Sequence, residues 1–280
     1  MERPMEKPIV WWAMIVAAAA IVGGLYYWWQ YTPPPPPAPP VVAAPPVAAP
    51  PPAAPAPVPA VAPIQHPVEE AAAAAPPLPT LDQSDAPLRL ALQDLFGIRA
   101  LREVLQPTEL IHRIVATIDN LPRSRAAVEL WPVKPAAGRF TVATSPNPEG
   151  GERVLIGADN SARYAPYVAL ADAVAPARLV AVYVHFYPLF QAAYRDLGYP
   201  NGYFNDRLVE AIDDLLAAPE VLAPVALVTP HAMYQYADPA LEERSAGQKI
   251  MIRIGAANEA RIKARLRAIR SALLHEKPQD

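Results

Sequence analysis

From Leu81 onward the apolar positions recur mostly at intervals of three and four, the spacing that lines one face of an α-helix. Ser84 or Asp85 is placed to cap a first helix that carries Leu88, Leu92 and Leu95, with Pro87 in its first turn and Gly97 as its stop. A short second helix runs through Leu101 and Val104 and ends before Pro107. Pro107 opens a third, on which Leu110, Ile111, Ile114, Val115 and Ile118 make a stripe that Asp119-Asn120-Leu121-Pro122 terminates. The period then changes to two: Arg139 to Thr144 alternates, Ser145 to Gly151 is a turn cluster and Glu152 to Ile156 carries β-branched residues, which predicts a β-hairpin. Helical spacing returns after Asp159. Ala177 to Leu197 is long and apolar, with Pro188 expected to kink or break it. Phe204, Leu208, Ile212, Leu215 and Leu216 share a face of the next helix, which Pro219 closes. Ile262, Leu266, Ile269 and Leu273 stripe a last one, flanked by Arg261, Lys263, Arg265, Arg267 and Arg270. The expected fold class is mainly α: an α+β domain with a small β-hairpin or sheet over residues 81–275, followed by a short tail, residues 276–280.

Ahead of that domain the pattern is different. Ile9 to Tyr31, IVWWAMIVAAAAIVGGLYYWWQY, carries no charge, and at about 1.5 Å per residue it is long enough to cross a hydrocarbon core of about 30 Å. Trp11 and Trp12 at one end, and Tyr26, Tyr27, Trp28 and Trp29 at the other, sit where interfacial rings belong. A cleaved signal peptide would use the small residues Ala17 to Ala20. It would leave an apolar core of only about eight residues after Pro8, so an uncleaved anchor, residues 9–31, is the better reading. Arg3 and Lys7 place residues 1–8 in the cytoplasm. The remainder is then exported, to the periplasm in a Gram-negative host. Residues 32–80 are Pro, Ala and Val almost throughout, with twenty of the chain's 38 prolines between Pro33 and Pro79. Such a stretch favours polyproline II and builds no core; its reach has an upper bound of roughly 150 Å. It reads as a spacer, since it lacks the flanking Arg or Lys that orients many proline-rich ligands.

Charge and composition narrow the chemistry. After Leu81 there are 22 basic and 23 acidic residues, a balance that gives no pull toward nucleic acid. With no cysteine, disulfides, thiolate metal sites and thiol nucleophiles are excluded. His112, His185, His231 and His275 are far apart in sequence and fit no metal-binding spacing, and no phosphate-cradling glycine loop is present, so neither cofactor nor metal is expected.

One stretch concentrates recognition chemistry, Leu197 to Leu208, LGYPNGYFNDRL. Tyr199, Tyr203 and Phe204 are suited to stacking on sugar rings, while Asn201, Asn205, Asp206 and Arg207 are suited to hydrogen-bonding hydroxyls. The plainer reading makes Pro200-Asn201-Gly202 the turn between two helices, Asn205 or Asp206 the cap of the second, and the rings a cover for the core. Asp206, Glu210, Asp213 and Asp214 recur at helical spacing; Glu210 and Asp214 are the candidate general acid-base pair, against a solvated outer face. Lys249 and Arg253, one turn apart, make a candidate anion site, against salt bridges that hold the last helix. The basic terminal helix is a candidate contact for phospholipid or an anionic wall polymer, against a core-facing stripe.

Three segments carry a resemblance: His185 to Pro219, HFYPLFQAAYRDLGYPNGYFNDRLVEAIDDLLAAP; Tyr234 to Gly255, YQYADPALEERSAGQKIMIRIG; and Arg113 to Arg123, RIVATIDNLPR. Together they resemble bacterial domain-of-unknown-function family 3014, over roughly Leu81 to Leu274. The resemblance implies the plan of one membrane span, a Pro/Ala-rich linker and this domain, and no catalytic residues. The leading expectation is a non-enzymatic, inner-membrane-anchored periplasmic protein whose domain binds an envelope partner, either a protein or peptidoglycan. The rival is a hydrolase or lytic enzyme acting on envelope glycan through Glu210 and Asp214.

Overall fold

The helical stripes find each other around the third helix. In the computed structural model the residues described are 63–68, 77–148, 150–222, 224–230 and 233–275. They all belong to one unit, Pro59–Asp280. The expected span at residues 9–31, the first part of the tether, His231 and the tail after His275 lie outside them. Among the described residues, no single helix is long and apolar enough to cross a membrane.

Helix α1 (Asp85–Phe96) stops at Gly97, whose φ of 80° lies in the left-handed region that a side chain resists, and α2 (Ile98–Val104) follows at once. Neither Ser84 nor Asp85 caps α1. The Ser84 hydroxyl turns back to the Leu81 carbonyl, and the Asp85 carboxylate reaches across to α3 (Leu110–Asn120), taking the N–H of Glu109 at 2.7 Å and of Leu110 at 2.8 Å. Capping chemistry was thus legible at Asp85, but it serves a helix 25 residues away. On α3 the stripe is buried as expected at Leu110, Ile111 and Val115, each of which contributes about 1.5–3 kcal/mol by leaving water.

Helix α4 (Ala165–Asp172) leads into α5 (Pro176–Asp196), which runs unbroken through Pro188. A proline there costs about 3 kcal/mol or more. Phe186, Leu189 and Phe190, all buried on either side of it, offset that cost by packing against α3, so the expected break does not occur. Helix α6 (Phe204–Leu216) inserts Phe204, with no exposed surface, among Tyr183, Phe190 and Tyr194; the Phe190 ring stacks on it at 5.9 Å.

The hairpin exists and is part of something larger. Strands β1 (Val142–Pro146), β2 (Glu152–Ile156), β3 (Ala226–Val228) and β4 (Gln235–Tyr236) form an antiparallel sheet in sequential order, with Val142 opposite Ile156, Val154 opposite Leu227 and Leu227 opposite Tyr236. After a single turn, α7 (Pro239–Glu242), come α8 (Ala246–Arg253) and α9 (Ala256–Leu273). Leu227, Tyr236 and Ile252 join the sheet to α8. The fold is α+β, mainly helical with this small sheet.

The stripe on α9 is half-buried, and its most buried residues are charged: Glu259 and Lys263. Lys263 Nζ donates to the Ala218 carbonyl at 2.6 Å and lies 2.9 Å from Glu259 Oε1, a Coulombic contact without hydrogen-bond alignment, with Glu220 at 3.7 Å. Removing one partner of such a pair strands a charge in the interior. Glu259→Ala is therefore expected to lower the unfolding free energy by about 3–5 kcal/mol in a denaturant titration, whereas Glu259→Leu combined with Lys263→Met recovers most of that loss.

Candidate functional site

The end of α5 and the start of α6 meet at a corner held from inside by an amide. Gln191, buried one turn before the end of α5, donates Nε2–H to the Gly202 carbonyl at 2.8 Å, while its Oε1 accepts the Phe204 N–H at 2.8 Å and the Tyr187 hydroxyl at 3.0 Å. Between them Tyr199-Pro200-Asn201-Gly202 closes a turn through a Gly202 N–H to Tyr199 carbonyl bond of 3.0 Å. A Cβ on Gly202 would stand 2.7 Å from the Tyr194 ring, so this position needs glycine for close approach. The Tyr194 and Tyr199 rings stack at 4.6 Å.

On this corner rests a cleft of about 520 Å³, lined on one side by Tyr194, Tyr199, Asn201, Gly202 and Tyr203 and on the other by charged groups. Five of the seven residues singled out in LGYPNGYFNDRL line it; Asn205 and Phe204 are buried, and Phe204, wholly inside the core, presents no ring for a sugar to stack on. The charges centre on a residue that the sequence reading passed over, Asp119, which is only 4% exposed. Its Oδ2 takes Arg123 Nη2 at 2.6 Å and the Tyr199 hydroxyl at 3.3 Å; its Oδ1 stands 3.2 Å from Arg207 Nε, and its main-chain carbonyl accepts from Arg207 Nη2. The signal was present: Asp119 continues the i, i+4 spacing of Ile111 and Val115, a carboxylate on the core face of a helix. The Arg207 Nε is buried and, at that distance, not aligned to hydrogen-bond Asp119. Burial opposes the charge of Arg207, but Glu210 at 2.7 Å and Asp119 outweigh it and hold the guanidinium above its ordinary pKa.

The fourth wall comes from the tether. Pro63 and Gln65 line the cleft. The Asp206 carboxylate accepts the N–H of Gln65 at 3.1 Å and of His66 at 2.7 Å, the Tyr203 hydroxyl accepts the N–H of Val68 at 2.8 Å, and Asn205 Nδ2 donates to the His66 carbonyl at 2.8 Å. Asn205 is itself fixed by the Tyr183 hydroxyl, which donates to its Oδ1 at 3.0 Å. Asn205 and Asp206 therefore do not cap α6, whose N-cap position is Tyr203 without a side-chain cap.

The remaining candidates are placed elsewhere. Glu210 borders the cleft, paired with Arg207. Asp214, one turn on, accepts from Ser245 at 2.6 Å and Gln248 at 2.9 Å and so anchors the start of α8; it is not among the residues lining the cleft. Lys249 bonds the carbonyl and carboxylate of Glu242, and Arg253 lies over the Phe140 ring at 5.9 Å. On α9, Arg261 and Arg265 hold Asp172, and Arg270 holds Asp213, so three of its cations tie helices together. Among the described residues no group of three or more His, Asp or Glu is placed to hold a metal ion.

Tyrosines buried in whole or in part, Tyr183 and Tyr187 beside the corner and Tyr236 on β4, carry a pH dependence. Burial first, then neighbouring tyrosines, push the Tyr183 and Tyr187 hydroxyls well above their ordinary value, and burial pushes Tyr236 up to about 12. Raised folded-state values mean that the contribution to stability is complete below about pH 10 and is lost as pH rises beyond it. The denaturant midpoint is expected to fall steeply above about pH 10, and less steeply in Tyr183→Phe. At neutral pH, Asp119→Asn is expected to cost about 2–3 kcal/mol in the same titration, since Arg207 loses its buried counter-charge.

Comparison with curated proteins and with solved structures yields no match. The profile of a family described as "Protein of unknown function (DUF3014)" matches residues 110–270, from the start of α3 to near the end of α9. That match takes in the whole corner, Asp119 and the sheet, and leaves α1, α2 and the docked tether segment outside it. Spanning more than half of the chain, it assigns this protein to the DUF3014 family.

Proposed function

We propose that this chain is a membrane-anchored, exported binding module whose domain captures a partner in the cell envelope at the cleft beside Tyr199, Asn201, Tyr203, Asp206 and Arg207. The observation that carries the reading is that a peptide segment is held along the wall of this cleft by groups projecting from a helical corner. Binding is favoured over hydrolysis because the carboxylates have structural employment. Of the three carboxylates that line the cleft, Asp119 is held by Arg123 and Arg207, Glu210 by Arg207 and Asp206 by the N–H groups of Gln65 and His66, while Asp214 fixes α8; glycoside hydrolysis asks for two carboxyl groups facing one substrate. The anchor at residues 9–31, with residues 1–8 in the cytoplasm and the domain in the periplasm, follows from the uncharged run and from Arg3 and Lys7 ahead of it. The Pro/Ala-rich linker then sets how far from the inner membrane the cleft can work.

Asn201 is exposed on the lip of the cleft and suits a photo-crosslinking side chain. In cells, crosslinking from Asn201 but not from Arg153 on β2 is expected to trap one envelope protein; alternatively, the detergent-solubilised full-length protein sediments with purified sacculi and releases no soluble fragments. Released muropeptides would support the hydrolase instead. Absence of a crosslink, of sedimentation and of fragments would remove the proposal.

A further inference from the structure

Every hydrogen bond between residues 63–68 and the corner ends on the segment's main chain. Three N–H groups, those of Gln65, His66 and Val68, are accepted by Asp206 and Tyr203, and one carbonyl, that of His66, is met by Asn205. The side chains of Ile64, Gln65 and Pro67 remain exposed. A clamp of this kind reads the backbone of a short bent segment: the chain bends at Gln65 and His66, whose consecutive N–H groups both face Asp206, so the clamp requires N–H donors at three positions and tolerates proline at the fourth, Pro67. The acceptors are well prepared, because Asn205 is 2% exposed and locked by Tyr183, and Asp206 uses both carboxylate oxygens. Nothing in such recognition is private to this segment. Another chain with the same spacing of donors presents the same pattern.

The segment also holds its place by attachment. It lies fewer than twenty residues ahead of α1, so its local concentration at the clamp is of the order of 1 mM, and a few main-chain bonds suffice to keep it docked. Pro63 and Pro67 on either side of the bend at Gln65-His66 restrict the free chain and so lower the entropy lost on docking. Composition marks the spot. Between Pro33 and Pro79 the residues other than Pro, Ala and Val are Ile64, Gln65, His66, Glu69, Glu70 and Leu78, and the clamp takes the stretch that begins with the first three.

We propose that Ile64–Val68 is an internal ligand of the clamp formed by Tyr203, Asn205 and Asp206, displaced by a proline-containing peptide of a partner protein that bends as Gln65-His66 does. The proposal rests on the reading of this face as the domain's binding site. Displacement has a mechanical consequence: docking ties the chain to the domain at residues 64–68, whereas release leaves it tied at Thr80, which lengthens its reach by up to about 55 Å in polyproline II geometry. Partner capture and reach of the domain are thereby coupled, and the partner must overcome the internal ligand, which weakens its apparent affinity by the fraction of clamp left open.

The test uses the full-length protein in detergent and, as probe, a fluorescein-labelled synthetic peptide of residues 61–72, read by anisotropy. Gln65→Pro with His66→Pro removes the two N–H groups that Asp206 accepts while leaving the domain untouched; Val68→Pro removes the third. The peptide is expected to bind the double variant at least tenfold more tightly than the wild type, and adding Asp206→Ala is expected to abolish that gain, with the thermal midpoint of the domain unchanged. In hydrogen exchange, the amides of Gln65, His66 and Val68 are slow in the wild type and become slow on the probe when it binds. Equal affinity for wild type and double variant, binding that survives Asp206→Ala, or no binding to the double variant overturns the internal-ligand proposal. Sedimentation with sacculi that the proline variants leave unaltered, together with no peptide binding, would do so while keeping the envelope-binding reading with a glycan as partner. Peptide binding with no envelope partner captured supports the clamp and removes that wider reading.

Discussion

A carboxylate removed from water must be met by positive charge or hydrogen-bond donors, and the corner of this domain is arranged around one that is. Asp119 ends the core stripe of α3 with a charge where an apolar residue would be expected, and three elements converge to satisfy it: Arg123 from the same helix end, Arg207 from α6 and the Tyr199 hydroxyl from the turn. Because Asp119 fixes Arg207, and Arg207 lies one residue beyond Asp206, the constraint propagates along the first turn of α6 to the groups that face the tether. Hydrophobic packing supplies the bulk of the stability, through Phe204 among the rings of α5 and the stripe of α3. It is indifferent to the direction in which a polar group points. The buried ion pairs set that direction, and they are what makes the cleft a defined surface.

The opposite flank follows the same logic. Lys263 and Glu259 are buried together on α9, and Arg261, Arg265 and Arg270 reach out to Asp172 and Asp213 on α4 and α6. A helix that looks basic in sequence is thus largely neutralised in place. The count of 22 bases against 23 acids after Leu81 says as much in aggregate, but only the fold shows which cation meets which carboxylate.

Periodicity made the helices legible because each of the long ones hides one face: Leu110, Ile111 and Val115 on α3, and Phe204 and Ile212 on α6, could be read directly. Gly97 as a stop was equally plain. Strands β3 and β4 were not legible, since three and two residues carry no measurable alternation and exist only because β2 offers β3 an edge and β3 offers the next to β4. Pro188 was misleading for a related reason: local propensity argues for a break, while the buried rings on both sides hold the helix straight through it. Asp85 misled in a third way. Its role as a cap was correct in kind, but a side chain can serve any free helix end within reach, and sequence distance does not reveal which. In the candidate site, the polar residues of LGYPNGYFNDRL could be named from composition alone. Asp119 and Gln191, which hold them in place, were harder to name: Asp119 continues the spacing of Ile111 and Val115, but its place at the helix end reads equally as a terminator, and Gln191 looks like any other interruption of a stripe.

The tether shows most clearly how composition can understate function. A run of Pro, Ala and Val, the composition of most of residues 32–80, has little side-chain chemistry to dock with. Docking by main chain escapes that limit. Proline removes donors, so in a proline-rich chain the residues that keep their N–H become the informative ones. A short stretch such as Gln65-His66, followed by Val68, is then a distinct pattern of donors against a background that offers few. Asp206 answers two of those donors and Tyr203 the third. A stiff, proline-rich chain loses less entropy than a flexible one when a short stretch of it is held, so the composition expected of a spacer does not count against the docking of Gln65, His66 and Val68.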